Sequence, residues 1–425
     1  MFAPSDYIDG VSTPPEDGRP TPRKIMSEVF LATPSSTSAI SALFFGWGLL
    51  VGYDLVRTVD NASEPFDIIC NDAMFTDVWC PLGSLSDPIP FNRSRGEIDT
   101  EGDGARSPIN YATAYLDLDW LYGRDNDSAA EIRAFESGYL NLTEDRLPHQ
   151  LADGVWLLAD QRPATMPVTF ALTTLLLREH NRCCDELAPD WGASTDQDAY
   201  DYCRQWTTAK YQHITEYDFS VRLVGGSIKL LGAEAYGGGI TYDNRTDAGV
   251  DVVFSTVALP AFYSAIPASV GVRDQDFDLM GEDGIELARA SADVAGLVKR
   301  NGGIDPILRG AAYSRSQEVD TSFVADTKAF LLTTTFEKRT IYREWLLLLR
   351  SRLTRRRRNS CSAPTRMSMS WMPTLERLQR RKTEARFLQG RCCALSFWSS
   401  CTEPSSEIAI TIRTAQKMRT FRSPL

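Results

Sequence analysis

The residue types best able to do chemistry here are oxygen donors. Thr113-Ala114-Tyr115-Leu116-Asp117-Leu118-Asp119 places polar side chains two residues apart. An extended or looping backbone would turn Thr113, Asp117 and Asp119 to one side and leave carbonyls between them. Hard cations such as Ca²⁺ take six to eight oxygens of this mixed kind. A solvated acidic turn has the same spacing and is the more common outcome of spacing alone, so both readings stand at this level. Histidine is scarce: His149, His180 and His213 are the whole supply. No two have metal-ligand spacing, and neither HExxH nor a Cys/His zinc pattern occurs. Cys183-Cys184 is adjacent, unlike the CxxC of redox and zinc motifs. His180 lies on an apolar helical stretch and His213 within Tyr211-Gln212-His213-Ile214. Both read as structural or surface histidines, which leaves zinc hydrolysis and histidine-based nucleophilic catalysis without support.

The elements that must carry these residues are mostly helical. Ser38 to Val56 is apolar nearly all round and predicts a buried helix. Met166 to Glu186 has apolar residues at helical spacing, and so does Asp198 to Leu223. Residues 282–299 and 316–332 repeat the signal. Strand-like alternation is scarce, and there is no internal repeat or heptad seam. Residues 57–110 are rich in Asp, Asn, Pro and Gly and read as long loops, which are usually functional or pinned. Cys70 and Cys80 can pin this one as a disulfide, or stand as two separate thiols. Pro14, Pro15, Pro20 and Pro22 make the first 25 residues an extended surface segment. The expectation is a mainly α chain with long loops and little β.

The chain has 425 residues, 43% hydrophobic and 24% charged, enough apolar mass for a sizeable core. No stretch reaches the ~18 uncharged apolar residues of a membrane span. A net charge of −11 argues against nucleic acid as a partner. That average hides a seam. From Lys338 onward there are 20 Lys and Arg against 5 Asp and Glu, and no aspartate follows Asp326. Such a block reads as a disordered basic arm, or as the translation of a shifted or mis-spliced frame, and the second reading is favoured. The expected organisation is a domain over residues 1–335 and an unrelated basic tail over 336–425. The N-terminus has no secretory signal pattern. Five Asn-x-Ser/Thr acceptors, at Asn61, Asn92, Asn126, Asn141 and Asn244, point weakly to a secreted glycoprotein.

A set of blocks then recurs in a fixed order. It runs from Tyr7-Ile8-Asp9-Gly10 with Arg19-Pro20-Thr21-Pro22-Arg23, through Trp47-Gly48 and Phe91-Asn92-Arg93-Ser94, to Asn110-Tyr111-Ala112-Thr113-Ala114-Tyr115-Leu116-Asp117. Next come Leu121-Tyr122-Gly123, Ala159-Asp160-Gln161-Arg162, Leu177-Arg178-Glu179-His180-Asn181-Arg182 and Ala209-Lys210-Tyr211-Gln212-His213-Ile214. Gly302-Gly303-Ile304-Asp305-Pro306-Ile307-Leu308-Arg309-Gly310 closes the set. Over residues 7–330 the chain resembles the animal-type haem peroxidase superfamily, the group of peroxinectin, the thyroid and myeloid peroxidases and the peroxidase-like domain of dual oxidases. The resemblance implies a mostly helical domain around a haem b pocket, hydrogen peroxide and a small reducing substrate as partners, a role in the response to oxidative stress, and an extracellular or secretory location.

The same resemblance marks where this chain departs. The family's distal helix carries tryptophan, glycine, glutamine, aspartate, histidine and aspartate; here the glutamine position is Leu49, the ester-forming aspartate position Gly52 and the distal histidine position Tyr53. A phenol with a pKa of about 10 is a poor proton acceptor at neutral pH. Proximally, Leu259-Pro260-Ala261-Phe262-Tyr263-Ser264 puts Tyr263 at the iron-ligating histidine, Pro260 at a propionate-pairing arginine and Phe262 at a haem-facing glycine. A mid-helix proline there costs ~3 kcal/mol. Thr165 stands where an ester-forming glutamate would be. Met166 matches the sulfonium-forming position of one subgroup, with a core methionine as its plainer role. Arg162, the peroxide-polarising arginine, is retained. So is the calcium set: Asp54, Thr113, Tyr115 through its carbonyl, Asp117 and Asp119. With the family context, Ca²⁺ becomes the favoured reading of that loop. The family's later asparagine and arginine block is not found after Lys338, which fits a shifted frame.

Two functions follow. One is a haem-dependent oxidoreductase using peroxide, with Tyr263 as a phenolate ligand to iron in the manner of catalases. The other is a pseudoenzyme: a non-catalytic, calcium-stabilised peroxidase-like domain for adhesion or for maturing a protein partner. A decayed gene without function is the third possibility.

Overall fold

Leu43 to Val51, the longest apolar run, lies in the central helix. The computed structural model describes residues 7–13, 25, 28–30, 36–68, 90–98, 104–151, 154–225, 248–281 and 284–327. All of them fall in the first of two compact units, Met1–Arg366; the second, Met367–Leu425, lies outside the described residues, as does the expected boundary at 335.

Helix α1 (Ala42–Leu55) buries Leu43, Phe45, Trp47, Leu49, Leu50 and Tyr53 on successive faces, as an all-round apolar helix must. It follows strand β1 (Thr37–Ser41), so the predicted helix 38–56 loses its first turn to an extended segment. That segment pairs antiparallel with Arg315–Gln317, the last strand described. This pairing also corrects the helix expected over 316–332: residues 315–317 are extended, and helix begins only at Ala325. Backbone hydrogen bonds to a partner strand outweigh a helical pattern carried by few residues.

Between these ends the chain makes short strands β2 (Asp60–Pro65), β3 (Asn92–Ser94), β4 (Gly96–Ile98) and β5 (Arg106–Pro108), paired as β2 with β3 and β4 with β5. The region read as long loops thus holds two small antiparallel ladders. Cys70 and Cys80 lie outside the described residues. Short helices α2 (Asp119–Tyr122) and α3 (Asn126–Glu131) follow, the latter with an Asp125/Ser128 capping box.

Helix α4 (Pro167–Glu186) appears where the periodicity predicts it, with Pro167 opening its first turn. It packs against α1 and, after the short α5 (Ala188–Trp191), against α6 (Asp196–His213). Helix α6 is capped by Thr195 and Asp198. It continues as a wider π turn over Ile214–Ser220 into α7 (Val221–Val224), so the predicted helix 198–223 is one irregular rod. A disulfide joins Cys183 on α4 to Cys203 on α6, with Cα atoms 5.5 Å apart. The vicinal cysteine pattern gave no hint of this partner.

Strands β6 (Ser269–Val270) and β7 (Ile285–Glu286) pair and lead into α8 (Leu287–Ala292) and α9 (Val294–Arg300). The single helix expected over 282–299 is split because Asp293 leaves helical geometry (φ −144°, ψ 63°) and caps the Gly296 N–H. Helix α10 (Asp305–Tyr313) was visible in the sequence only as a motif; it has Pro306 in its first turn and packs on α1 and α4. The closing strand, β8 (Arg315–Gln317), completes the β1 pair. The architecture is mainly α. Among the described residues, no helix is long and apolar enough to cross a membrane.

Candidate functional site

The second half of α1 presents Gly48, Gly52, Tyr53 and Asp54 to two different neighbourhoods. On one side lies the segment 254–265, where a π turn (Phe254–Ala258) passes into a 3₁₀ turn (Pro260–Ala265). Pro260 opens that 3₁₀ turn, where its missing N–H has no partner to lose, so the cost expected of a mid-helix proline does not arise. A Cβ added to Gly52 would lie 2.6 Å from Leu259 Cδ1. One added to Gly48 would lie 3.0 Å from Phe219 Cζ and 3.2 Å from Phe262 Cε1. Phe262 also packs on Phe45 with ring centroids 5.6 Å apart. The two segments therefore touch at the glycines. Beside these contacts the Tyr53 and Tyr263 phenols lie close enough for each to influence the other's pKa. Burial, above all, raises the pKa of both, so each keeps its proton.

Arg162 lies over the Tyr53 ring, its guanidinium carbon 4.7 Å from the ring centroid. All three of its nitrogens donate within the protein. Nη1 donates to the Val56 carbonyl at 2.6 Å and Nη2 to the Tyr53 carbonyl at 2.8 Å. Nε and Nη2 reach the Asp160 carboxylate at 3.0 and 2.7 Å. Arg124 adds a second cation: Nη1 is 2.9 Å from Asp160, Nε is 3.0 Å from Asp119 Oδ2 and Nη2 is 3.0 Å from the Tyr53 carbonyl. Burial would raise the Asp160 pKa, but the two guanidiniums overcome it and hold the group at about 2. Sequence reasoning singled out Arg162 but missed the roles of Arg124 and Asp160. The available signal was an arginine five residues past Asp119.

On the other side of α1, Asp54 meets the 113–119 loop. Carboxylate oxygens of Asp54, Asp117 and Asp119 lie within 4.8 Å of one another. The Leu118 N–H is 3.4 Å from Asp54 Oδ2, the Asp119 N–H donates to Asp117 at 3.1 Å and the Thr113 N–H to Asp119 at 3.0 Å. The Thr113 hydroxyl is 3.3 Å from the Tyr115 carbonyl, while the Tyr115 ring faces outward. Buried Asp54 Oδ1 makes no well-formed hydrogen bond, although the Tyr211 hydroxyl faces it. Burial first, then Asp119 and Asp117, push the Asp54 pKa up to about 8. Leu118 is buried at φ +59°, a left-handed conformation that costs a non-glycine residue ~1 kcal/mol or more. A left-handed residue and three close carboxyls coincide at one oxygen-lined point, a donor set of the kind a hard dication could take.

The other predicted positions are placed elsewhere. Met166 is buried and borders a cavity of about 40 Å³ with Phe45, Leu49 and Ile266. The Thr165 hydroxyl donates to the Arg162 carbonyl at 2.7 Å. His180 is fully buried, with Nδ1 2.9 Å from the Tyr122 hydroxyl and Nε2 2.9 Å from the Gly138 carbonyl. It is a satisfied structural histidine. His213 is exposed against Tyr217.

The sequence model for animal haem peroxidases matches residues 1–343. The chain belongs to the animal haem peroxidase family. Among animal haem peroxidases and their relatives, dual oxidase 1 of Sus scrofa is 26% identical over 370 residues, 78% of this chain and 21% of that protein. Thyroid peroxidase of Canis lupus familiaris is 27% identical over 374 residues, 74% of this chain and 39% of that protein. The chain thus spans well under half the length of these relatives. Among solved structures, peroxidase A from Dictyostelium discoideum superposes with a TM-score of 0.62 at 19% identity, over 73% of this chain and 63% of that one. The fatty acid alpha-dioxygenase of Oryza sativa gives 0.56 at 16%, over 69% and 52%. These likenesses show the haem peroxidase fold.

Proposed function

We propose that this chain is a peroxidase-like domain that has lost peroxide turnover and persists as a calcium-stabilised unit for adhesion or for maturing a protein partner. The family's ancestral chemistry is the oxidation of small substrates by hydrogen peroxide. The observation that carries the reading is the state of Arg162. Four of its five N–H groups already serve Asp160 and the Tyr53 and Val56 carbonyls, so the group that would polarise peroxide is largely taken up in holding the chain together. Tyr53 supplies no base in its place. The opposing reading, in which Tyr263 serves iron as a phenolate, requires deprotonating a phenol whose pKa burial raises against the lowering effects of Tyr53 and Arg162.

Calcium would be held by the carboxylates of Asp54, Asp117 and Asp119, the Thr113 hydroxyl and the Tyr115 carbonyl. Bound there, the ion would neutralise the carboxylates and tie the end of α1 to the loop. The Cys183–Cys203 disulfide supports an oxidising compartment, in keeping with the sequons. The deciding assay is peroxide-dependent oxidation of guaiacol by purified protein supplied with hemin. No turnover above free hemin is expected; turnover that saturates with protein-bound sites would reverse the proposal.

A further inference from the structure

We infer that the space a porphyrin would need in this domain is filled by the chain's own side chains, with Leu259, Phe262 and Phe219 as the filling. The inference builds on the functional reading above but is a separate claim, since a domain can bind haem and still fail to use peroxide.

A flat macrocycle stacked between two walls needs about 7 Å between them, two van der Waals separations of ~3.5 Å. Gly48 and Gly52 are one helical turn apart on the same face of α1 and leave a strip of that face without side chains. Opposite them stand Phe219, Phe262 and Leu259, at 3.0, 3.2 and 2.6 Å from where the glycine Cβ atoms would be. Both walls are therefore already in contact. The small residues admit the large ones, as in any close-packed core.

The phenols bear on the same space. Tyr53 and Tyr263 stand at the positions where the resemblance would place two imidazoles, and here they lie close enough for each to influence the other's pKa. Arg162, lying over the Tyr53 ring and donating to its carbonyl, holds that side chain in place. Restoring both histidines would thus restore ligands without restoring room.

The test is a hemin titration followed by the Soret band and by quenching of tryptophan fluorescence, on the wild type and on the Tyr53→His/Tyr263→His variant, each first shown to melt cooperatively. Neither protein is expected to give a saturable band. One equivalent of hemin bound by either would overturn the inference, and if that hemin gives no guaiacol turnover above free hemin the functional proposal still stands.

Discussion

The Tyr122 hydroxyl lies 2.9 Å from Nδ1 of His180, and Nε2 of the same ring lies 2.9 Å from the Gly138 carbonyl. A carbonyl can only accept, so Nε2 carries the proton and Nδ1 accepts from Tyr122. Burial lowers the His180 pKa from 6.5 to about 4. The unfolded chain takes up this proton first, so the contribution to stability is complete above pH 6.5 and is lost as pH falls toward 4. The loss amounts to about 3 kcal/mol. Urea unfolding at pH 7 and pH 4.5 should show it in the wild type, and His180→Gln should remove that part of the acid sensitivity.

Calcium should raise the melting temperature, and EGTA should reverse the gain. At one hundred times the dissociation constant the ion contributes about 2.7 kcal/mol. Asp54→Asn makes the sharper test, because Asp54 is a buried acid crowded by two others. In EGTA this variant should melt above the wild type, because it no longer has to take up a proton to bury an acid at this point, and calcium should no longer move it. Equal calcium shifts in both proteins, read by differential scanning fluorimetry, would remove the ion from this loop.

Arg162→Ala should destabilise the fold even though the reading above gives the residue no catalytic task. It strips Asp160 of its closest cation and the Val56 carbonyl of its donor, while the Tyr53 carbonyl keeps Arg124, at a cost of ~2 kcal/mol once the arginine's partial exposure is allowed for. Arg162→Lys should recover only part of this, since one ammonium cannot span the acceptors a planar fork reaches. Chemical denaturation of the three proteins provides the comparison.

Reduction should be felt between α4 and α6. Cys183 and Cys203 are 20 residues apart, and closing such a loop is worth about 3 kcal/mol. Dithiothreitol or Cys203→Ser should lower the melting temperature accordingly. Cys184, buried and pushed up to about 12, should resist maleimide until the protein unfolds.

The sequence made the long helices and the acidic loop legible for different reasons. Residues 166–186 carry enough apolar positions at one period to fix a helix without help, and the 113–119 ligands are local to one loop. Ser38–Ser41 and Arg315–Gln317 were misread because neither segment is a strand until the other, nearly three hundred residues away, lies beside it. Asp293 broke a helix that its neighbours favoured, through a cap that periodicity does not register. The disulfide partner of Cys183 depends on how two helices pack. The Tyr53–Tyr263 contact is of the same kind: each substitution was visible alone, but only the fold brings the two phenols together.

Arg124 reaches Asp119 in the acidic loop, Asp160 beside Arg162 and the Tyr53 carbonyl at the end of α1. This side chain therefore mechanically links the oxygen cage to the backbone of Tyr53 and to Asp160. Emptying or loading the cage should register as a change in tyrosine ultraviolet absorbance, turning the loop into a reporter on packing deep inside the molecule.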